Sequence, residues 1–128
     1  MRAYKLAPKD PLINLCLGIA HLHRGMQRKA SDRHEHISCA FYFFLQYQEL
    51  CVSKLESYYN LGRAFHHIGL YHLAIDYYEK GLAIGSTNEK TNLCHEIAYN
   101  LSLIYCQSGS YLLARELLRK YNTFDETH

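Results

Sequence analysis

The sequence predicts an all-α chain, a superhelical solenoid of about three antiparallel helical hairpins. Three observations predict it. Shifted by 40 residues, Glu56 to Lys80 lies over Glu96 to Lys120, and nine of the 25 positions are identical. Small and aromatic residues recur at fixed spacing inside each unit. Helix starts and stops are marked at matching places. One hairpin cannot bury its apolar face alone, so units of this kind gain stability by stacking.

In chain order, helices are predicted over roughly 10–25, 36–50, 54–68, 71–84, 92–108 and 111–121. Asp10 before Pro11 is a cap followed by proline in the first turn. Ser53 with Glu56 forms a capping box before a periodic apolar run. Gly25, Gly69 and Gly109 are each expected to end the first helix of a hairpin, and Gly69 can take the left-handed turn conformation at little cost. Residues 85–91 form a polar loop. Residues 1–9 read as the end of a preceding repeat, 10–52 as a degenerate repeat with an inserted loop, 53–88 and 89–121 as two regular repeats, and 122–128 as a polar tail. Because no polar capping helix follows Tyr121, the chain is expected to be a piece or a short product of a longer array, with end faces that self-associate.

The repeat has a recognisable internal pattern. The second unit places Tyr58, Leu61, Gly62, Phe65, Ala74 and Tyr78 at the positions of an aromatic, a Leu-Gly pair, an aromatic, an alanine and an aromatic. The third has Ala98, Leu101, Ser102, Tyr105, Ala114 and Leu118 there. The first is degenerate: Asn14, Leu17, Gly18, His21, then Ala40 and Phe44. Leu and Ala stand 13 residues apart in the second and third units but 23 in the first, so about ten residues are inserted there. This is the spacing of the tetratricopeptide repeat, which the chain resembles. Gly62 and Ala74 are small enough for two helices to approach closely, with Tyr58, Phe65 and Tyr78 filling the space around the crossing. Leu61 and Leu101 are expected to pack between hairpins.

Composition excludes several classes of function. Fourteen basic and twelve acidic residues give a net charge of +2, too balanced for a nucleic-acid binder. The twelve tyrosines suit a thin array, because tyrosine packs its ring while its hydroxyl stays in water. Five cysteines, an odd number without a CxxC, read as reduced core thiols of a cytosolic or nuclear protein. No apolar run approaches the length of a membrane span. His21 and His23 diverge on a helix, and the His34/His36 pair beside Glu35 lies near a loop. No metal site or cofactor is therefore expected. No cysteine has a local base, and no phosphate-binding glycine loop is present, so an enzyme is not expected.

The expected site is a protein-binding face. First helices of such hairpins line the concave side of a solenoid, which places Tyr59, Asn60, Arg63 and His67 from the second unit and Tyr99, Asn100, Leu103 and Gln107 from the third on that side. Tyrosine and arginine are favoured at interface hot spots. Asn60 and Asn100 have an alternative role in bonding a neighbouring helix. The insertion carries Arg24, Arg28, Lys29 and Arg33, a candidate basic contact for a phosphate or acidic partner, with a solvated loop as the more ordinary reading. The run Ala40 to Leu45 is dense enough to be buried all round, with a partner-binding patch as the alternative.

The strings YNLGRAFHHIGLYHLAIDYYEKGL and EIAYNLSLIYCQSGSYLLARELLRKY, with YKLAPKDPLINLCLGIAHLHRGMQRKASDRHEHISCAFYFFLQY before them, are more specific than a generic repeat. Together they resemble the C-terminal part of the tetratricopeptide-repeat subunits of transcription factor IIIC, including the basic insertion. That resemblance implies a nuclear scaffold in RNA polymerase III transcription initiation. It implies contacts to other transcription factor IIIC subunits and, through the full-length protein, to transcription factor IIIB. It implies no catalytic residue, no sequence-specific DNA reading and no membrane. The alternative is a generic tetratricopeptide adaptor that binds peptides as co-chaperones do.

Overall fold

The computed structural model describes residues 9–27, 31–85 and 93–122. Among these residues there is no strand, and six helices follow one another: α1 Pro11–Gly25, α2 Arg33–Leu50, α3 Lys54–Ile68, α4 Tyr71–Gly85, α5 Leu93–Gln107 and α6 Tyr111–Asn122. The fold is all-α and built of tetratricopeptide-type hairpins. The chain divides into two compact units, Met1–Ser57 and Tyr58–His128. The expected polar loop, tail and preceding-repeat end lie almost wholly outside the described residues.

The unit ending at Ser57 is the degenerate hairpin, α1 against α2. Asp10 caps α1: its Oδ1 accepts from the Leu12 N–H at 2.9 Å, with Pro11 in the first turn. Asn14 is buried at the first aromatic position of the motif and its Nδ2 donates to the Asp10 carbonyl at 3.0 Å, tying the cap to the helix. α1 ends at Gly25, as expected, but without a left-handed turn. Gly25 is helical and buried, and Met26 closes the helix in right-handed geometry, its N–H donating to the Leu22 carbonyl at 3.0 Å. A Cβ on Gly25 would stand 3.0 Å from Ile37 Cγ1 and 3.3 Å from His36 Cβ, so this glycine serves the approach of α2. The second helix begins at Arg33 rather than near 36, seven residues before Ala40, whereas α4 begins three before Ala74. About a turn of the insertion is thus spent lengthening α2, and most of the rest lengthens the connection.

In spite of that insertion, the first hairpin repeats the packing of the second. A Cβ on Gly18 would come within 2.5 Å of Phe44 Cε1, as one on Gly62 would of Tyr78 Cδ1. His21 stacks on Phe43 with centroids 5.7 Å apart, as Phe65 stacks on Tyr77 at 5.4 Å. Ala40 and Ala74 are both fully buried. Leu17 is half-buried. Residues 40–45 are not buried all round, as had been the favoured expectation. Ala40, Phe43 and Phe44 face inward, while Tyr42 and Leu45 are exposed, because α2 has only one face against α1.

The unit from Tyr58 holds the two regular hairpins. Gly69 and Gly109 have φ of +99° and +86° and end α3 and α5 as expected. The closures match: the Leu70 N–H donates to the Phe65 carbonyl at 2.9 Å and the Ser110 N–H to the Tyr105 carbonyl at 2.8 Å. Leu61, Phe65, Tyr78, Ile97, Ala98, Leu101 and Ala114 are buried, with Tyr58, Tyr105 and Leu118 half-buried at the rim. Ser102 stands where the second unit has Gly62, and its hydroxyl turns back to donate to the Tyr99 carbonyl at 2.6 Å. That satisfies a buried polar group locally, at no demand on the neighbouring helix. Tyr105 Oη donates to Glu79 Oε2 at 3.0 Å, linking α5 to α4 across the two hairpins.

Candidate functional site

Helix periodicity separates two faces on α3 and α5. Tyr58, Leu61, Gly62 and Phe65 on α3, and Ala98, Leu101, Ser102 and Tyr105 on α5, turn toward the packing side. Tyr59, Arg63 and His67, and their repeat equivalents Tyr99, Leu103 and Gln107, stand one turn apart from each other on a different side. Arg63, His67, Tyr99, Leu103 and Gln107 are exposed, and Tyr59 is half-buried. Asn60 and Asn100 sit at the edge of these rows, half-buried.

Within the rows the structure brings Tyr59 and Arg63 together. The guanidinium lies over the tyrosine ring, 5.7 Å from its centroid. A cation over an aromatic face is attractive by about 0.5–1 kcal/mol at an exposed site. It also holds two large side chains in one arrangement, which lowers the entropy lost when a partner covers them. On α5, Tyr99 and Leu103 are 53% and 39% exposed, large apolar groups outside the core. The α3 row is aromatic and cationic, and the α5 row aromatic and aliphatic.

The candidate basic contact is only partly within the described residues, since Arg28 and Lys29 lie outside them. Arg24 is exposed at the end of α1. The Arg33 guanidinium donates to the Gln27 carbonyl at 2.9 Å, so this arginine is engaged with the backbone just past α1. The cysteines are less uniformly core residues than expected. Cys39 and Cys94 are buried, Cys51 is half-buried, and Cys16 and Cys106 are exposed. Burial pushes the Cys94 thiol above its ordinary value, the reverse of what a nucleophile needs. Among the described residues no three His, Cys, Asp or Glu side chains are grouped to hold a metal, and no helix is long and apolar enough to cross a membrane.

One histidine pair is not marked in the sequence, because spacing along a helix relates histidines within one element and not across two. His21 Nδ1 and His36 Nδ1 lie 3.2 Å apart, from α1 and α2. The available signal was position: His21 occupies the site of Phe65 and Tyr105 in the repeat and so has to face its partner helix. His66 is a second inward histidine, 3.4 Å from Tyr78 Oη. Burial foremost, and then the charge of His67, hold it below the ordinary histidine value.

The family model of the tetratricopeptide repeat matches residues 55–86, the second hairpin. The chain is 40% identical to transcription factor tau subunit sfc4 of Schizosaccharomyces pombe, over 96% of this chain and 14% of that protein. It is 39% identical to general transcription factor 3C polypeptide 3 of Homo sapiens, over 94% of this chain and 14% of that protein. It is 41% identical to the transcription factor tau 131 kDa subunit of Saccharomyces cerevisiae, over 89% of this chain and 11% of that protein. The chain thus spans about a seventh or less of the length of the curated relatives it matches. The similarity crosses all three hairpins, including the degenerate one that the repeat model does not reach. Over the stretch it spans, the chain belongs to the family of tetratricopeptide-repeat subunits of transcription factor IIIC.

Proposed function

We propose that this chain is a protein-binding scaffold segment of a transcription factor IIIC subunit, acting in RNA polymerase III transcription initiation in the nucleus. Its partners are other subunits of the same factor, with transcription factor IIIB reached through the full-length protein. It works by presenting a wall of side chains, without catalysis, and leaves DNA reading to other parts of the complex. The observation that carries the reading is the pair of repeat-related rows, Tyr59/Arg63/His67 and Tyr99/Leu103/Gln107, whose side chains are left largely outside the packed core. Large aromatic and arginine side chains outside a core are the groups that carry most of the energy at protein interfaces. The kinship with transcription factor subunits supports the choice of partner.

Capture from nuclear extract tests this. Wild-type chain retains sister subunits, and Tyr59→Ala/Arg63→Ala weakens capture at least tenfold, which corresponds to about 1.4 kcal/mol or more. Equal capture by both chains sinks the assignment of the face. Tight, carboxylate-dependent capture of acidic C-terminal peptides instead identifies a peptide adaptor.

A further inference from the structure

The facing histidines of the first hairpin form a device that the scaffold role does not require. His21 stacks on Phe43 and points its Nδ1 at His36 Nδ1, 3.2 Å away. The ring centroids are 5.4 Å apart, close to the nitrogen gap plus the two ring radii, so the nitrogens meet head-on. A shared metal ion would sit to one side of that line, and no third ligand is grouped with the pair among the described residues. The arrangement is that of a hydrogen bond. On its far side, His36 Nε2 lies 3.4 Å from Asp32 Oδ1.

These contacts favour one placement of the protons. The Asp32 carboxylate favours a proton on His36 Nε2, the nitrogen nearest it, so neutral His36 offers the lone pair of Nδ1. His21 Nδ1 then donates the one proton between the rings. One further proton can be taken up: His36 becomes charged, donates through Nδ1, and His21 accepts after moving its own proton to Nε2. A second further proton cannot be taken up in place. Both Nδ1 atoms would then carry hydrogens aimed at each other, between two like charges. We propose that His21 and His36 form a proton-gated latch that holds α1 to α2 until the pair becomes doubly charged, and then releases the hairpin.

Among the described residues, the charged and titratable groups facing the pair are Asp32, the residue before α2, and Arg24 from α1. Arg24 opposes charge on His21. Burial above all, followed by the charges of His36 and Arg24, holds His21 below the ordinary histidine value. Gly25 lets the helices close at the end of α1 nearest the pair, since a Cβ there would press on His36 Cβ at 3.3 Å.

Ring nitrogen NMR on the whole chain, with amide hydrogen exchange measured across the same pH series, tests the latch. At neutral pH the expected tautomers are Nδ1–H for His21 and Nε2–H for His36. On acidification the pair titrates in two separated steps. Exchange protection of α1 and α2 falls at least tenfold with the second step. His21→Phe keeps the stack on Phe43, cannot titrate, and holds protection level over the same range. Should that variant fail to fold, His36→Gln serves, because it offers His21 an acceptor that does not titrate and likewise abolishes the acid loss. Independent single-step titrations, an Nε2–H tautomer for His21 at neutral pH, or an undiminished acid loss in the variants would overturn the proposal.

Discussion

Replacing Gly62 with alanine sets two effects of opposite sign against each other. In an exposed helix interior the change stabilises by about 0.8–1.0 kcal/mol through helix propensity. Here the new Cβ would stand 2.5 Å from both Cδ1 and Cε1 of Tyr78. Those atoms are mid-ring, and Tyr78 is fully buried, with its hydroxyl 3.4 Å from His66 Nδ1. The ring has nowhere to swing, so the helices must part, and overpacking of this kind costs about 1–3 kcal/mol. With two ring atoms in conflict the cost falls at the upper end, leaving a net loss of about 1–2 kcal/mol. That lowers the melting midpoint, followed by far-ultraviolet circular dichroism, by roughly 4–10 °C. Gly69→Ala is the control. Nothing lies within 4 Å of its Cβ position, and its loss comes only from the φ of +99°. Tyr78→Leu should relieve Gly62→Ala, so that the double variant loses less than the sum by about 0.5 kcal/mol or more. It should leave the cost of Gly69→Ala unchanged. A midpoint raised by Gly62→Ala, or additivity with Tyr78→Leu, would refute the close crossing.

Other outcomes follow from single contacts. Tyr105 is pushed up to about 12, by burial first and then by its bond to Glu79; burial also raises Tyr77 and Tyr78, so ultraviolet titration should show a late tyrosine component that shrinks by one residue in Tyr105→Phe, with a stability loss of about 0.5–1.5 kcal/mol. The Ser53 hydroxyl accepts from the Glu56 N–H at 3.1 Å, so Ser53→Ala should cost about 1 kcal/mol in chemical denaturation. His66 is held below its ordinary 6.5, so above that pH it is neutral in both folded and unfolded chains and costs nothing. As pH falls through 6.5 the unfolded chain takes the proton first, and stability declines until the folded pKa is passed. Urea midpoints measured from pH 8 to pH 5 should fall less in His66→Gln than in wild type; an equal fall would show that His66 is not involved.

The regular hairpins were legible because their information is local. Gly69 and Gly109 mark turns that only a left-handed residue closes, and the small residues at Gly62, Ala74 and Ala114 recur at a spacing that helix geometry demands. The degenerate hairpin was legible in outline, since Gly18, Ala40 and Phe44 keep their places. Its details were not. Gly25 reads correctly as the stop of α1, but its second role, admitting the close approach of α2, does not show in the sequence. The added turn of α2 lies in polar residues, where no apolar period marks a start. Tyr42 and Leu45 belong to an apolar run whose two sides cannot be told apart until the partner helix is known. The His21–His36 pair is a contact across 15 residues of chain, invisible to spacing along one helix. The rows at Tyr59 and Tyr99 were readable from the repeat itself, because positions fixed for packing determine which neighbours remain outside.

Site-specific photo-crosslinking in the assembled transcription factor tests the scaffold reading most directly. A photoreactive residue at Leu103, within the full-length subunit, should attach to another subunit of the complex, whereas the same probe at Leu112, which is 73% exposed on α6, serves as the comparison. Crosslinks from Leu112 with none from Leu103 would contradict the account.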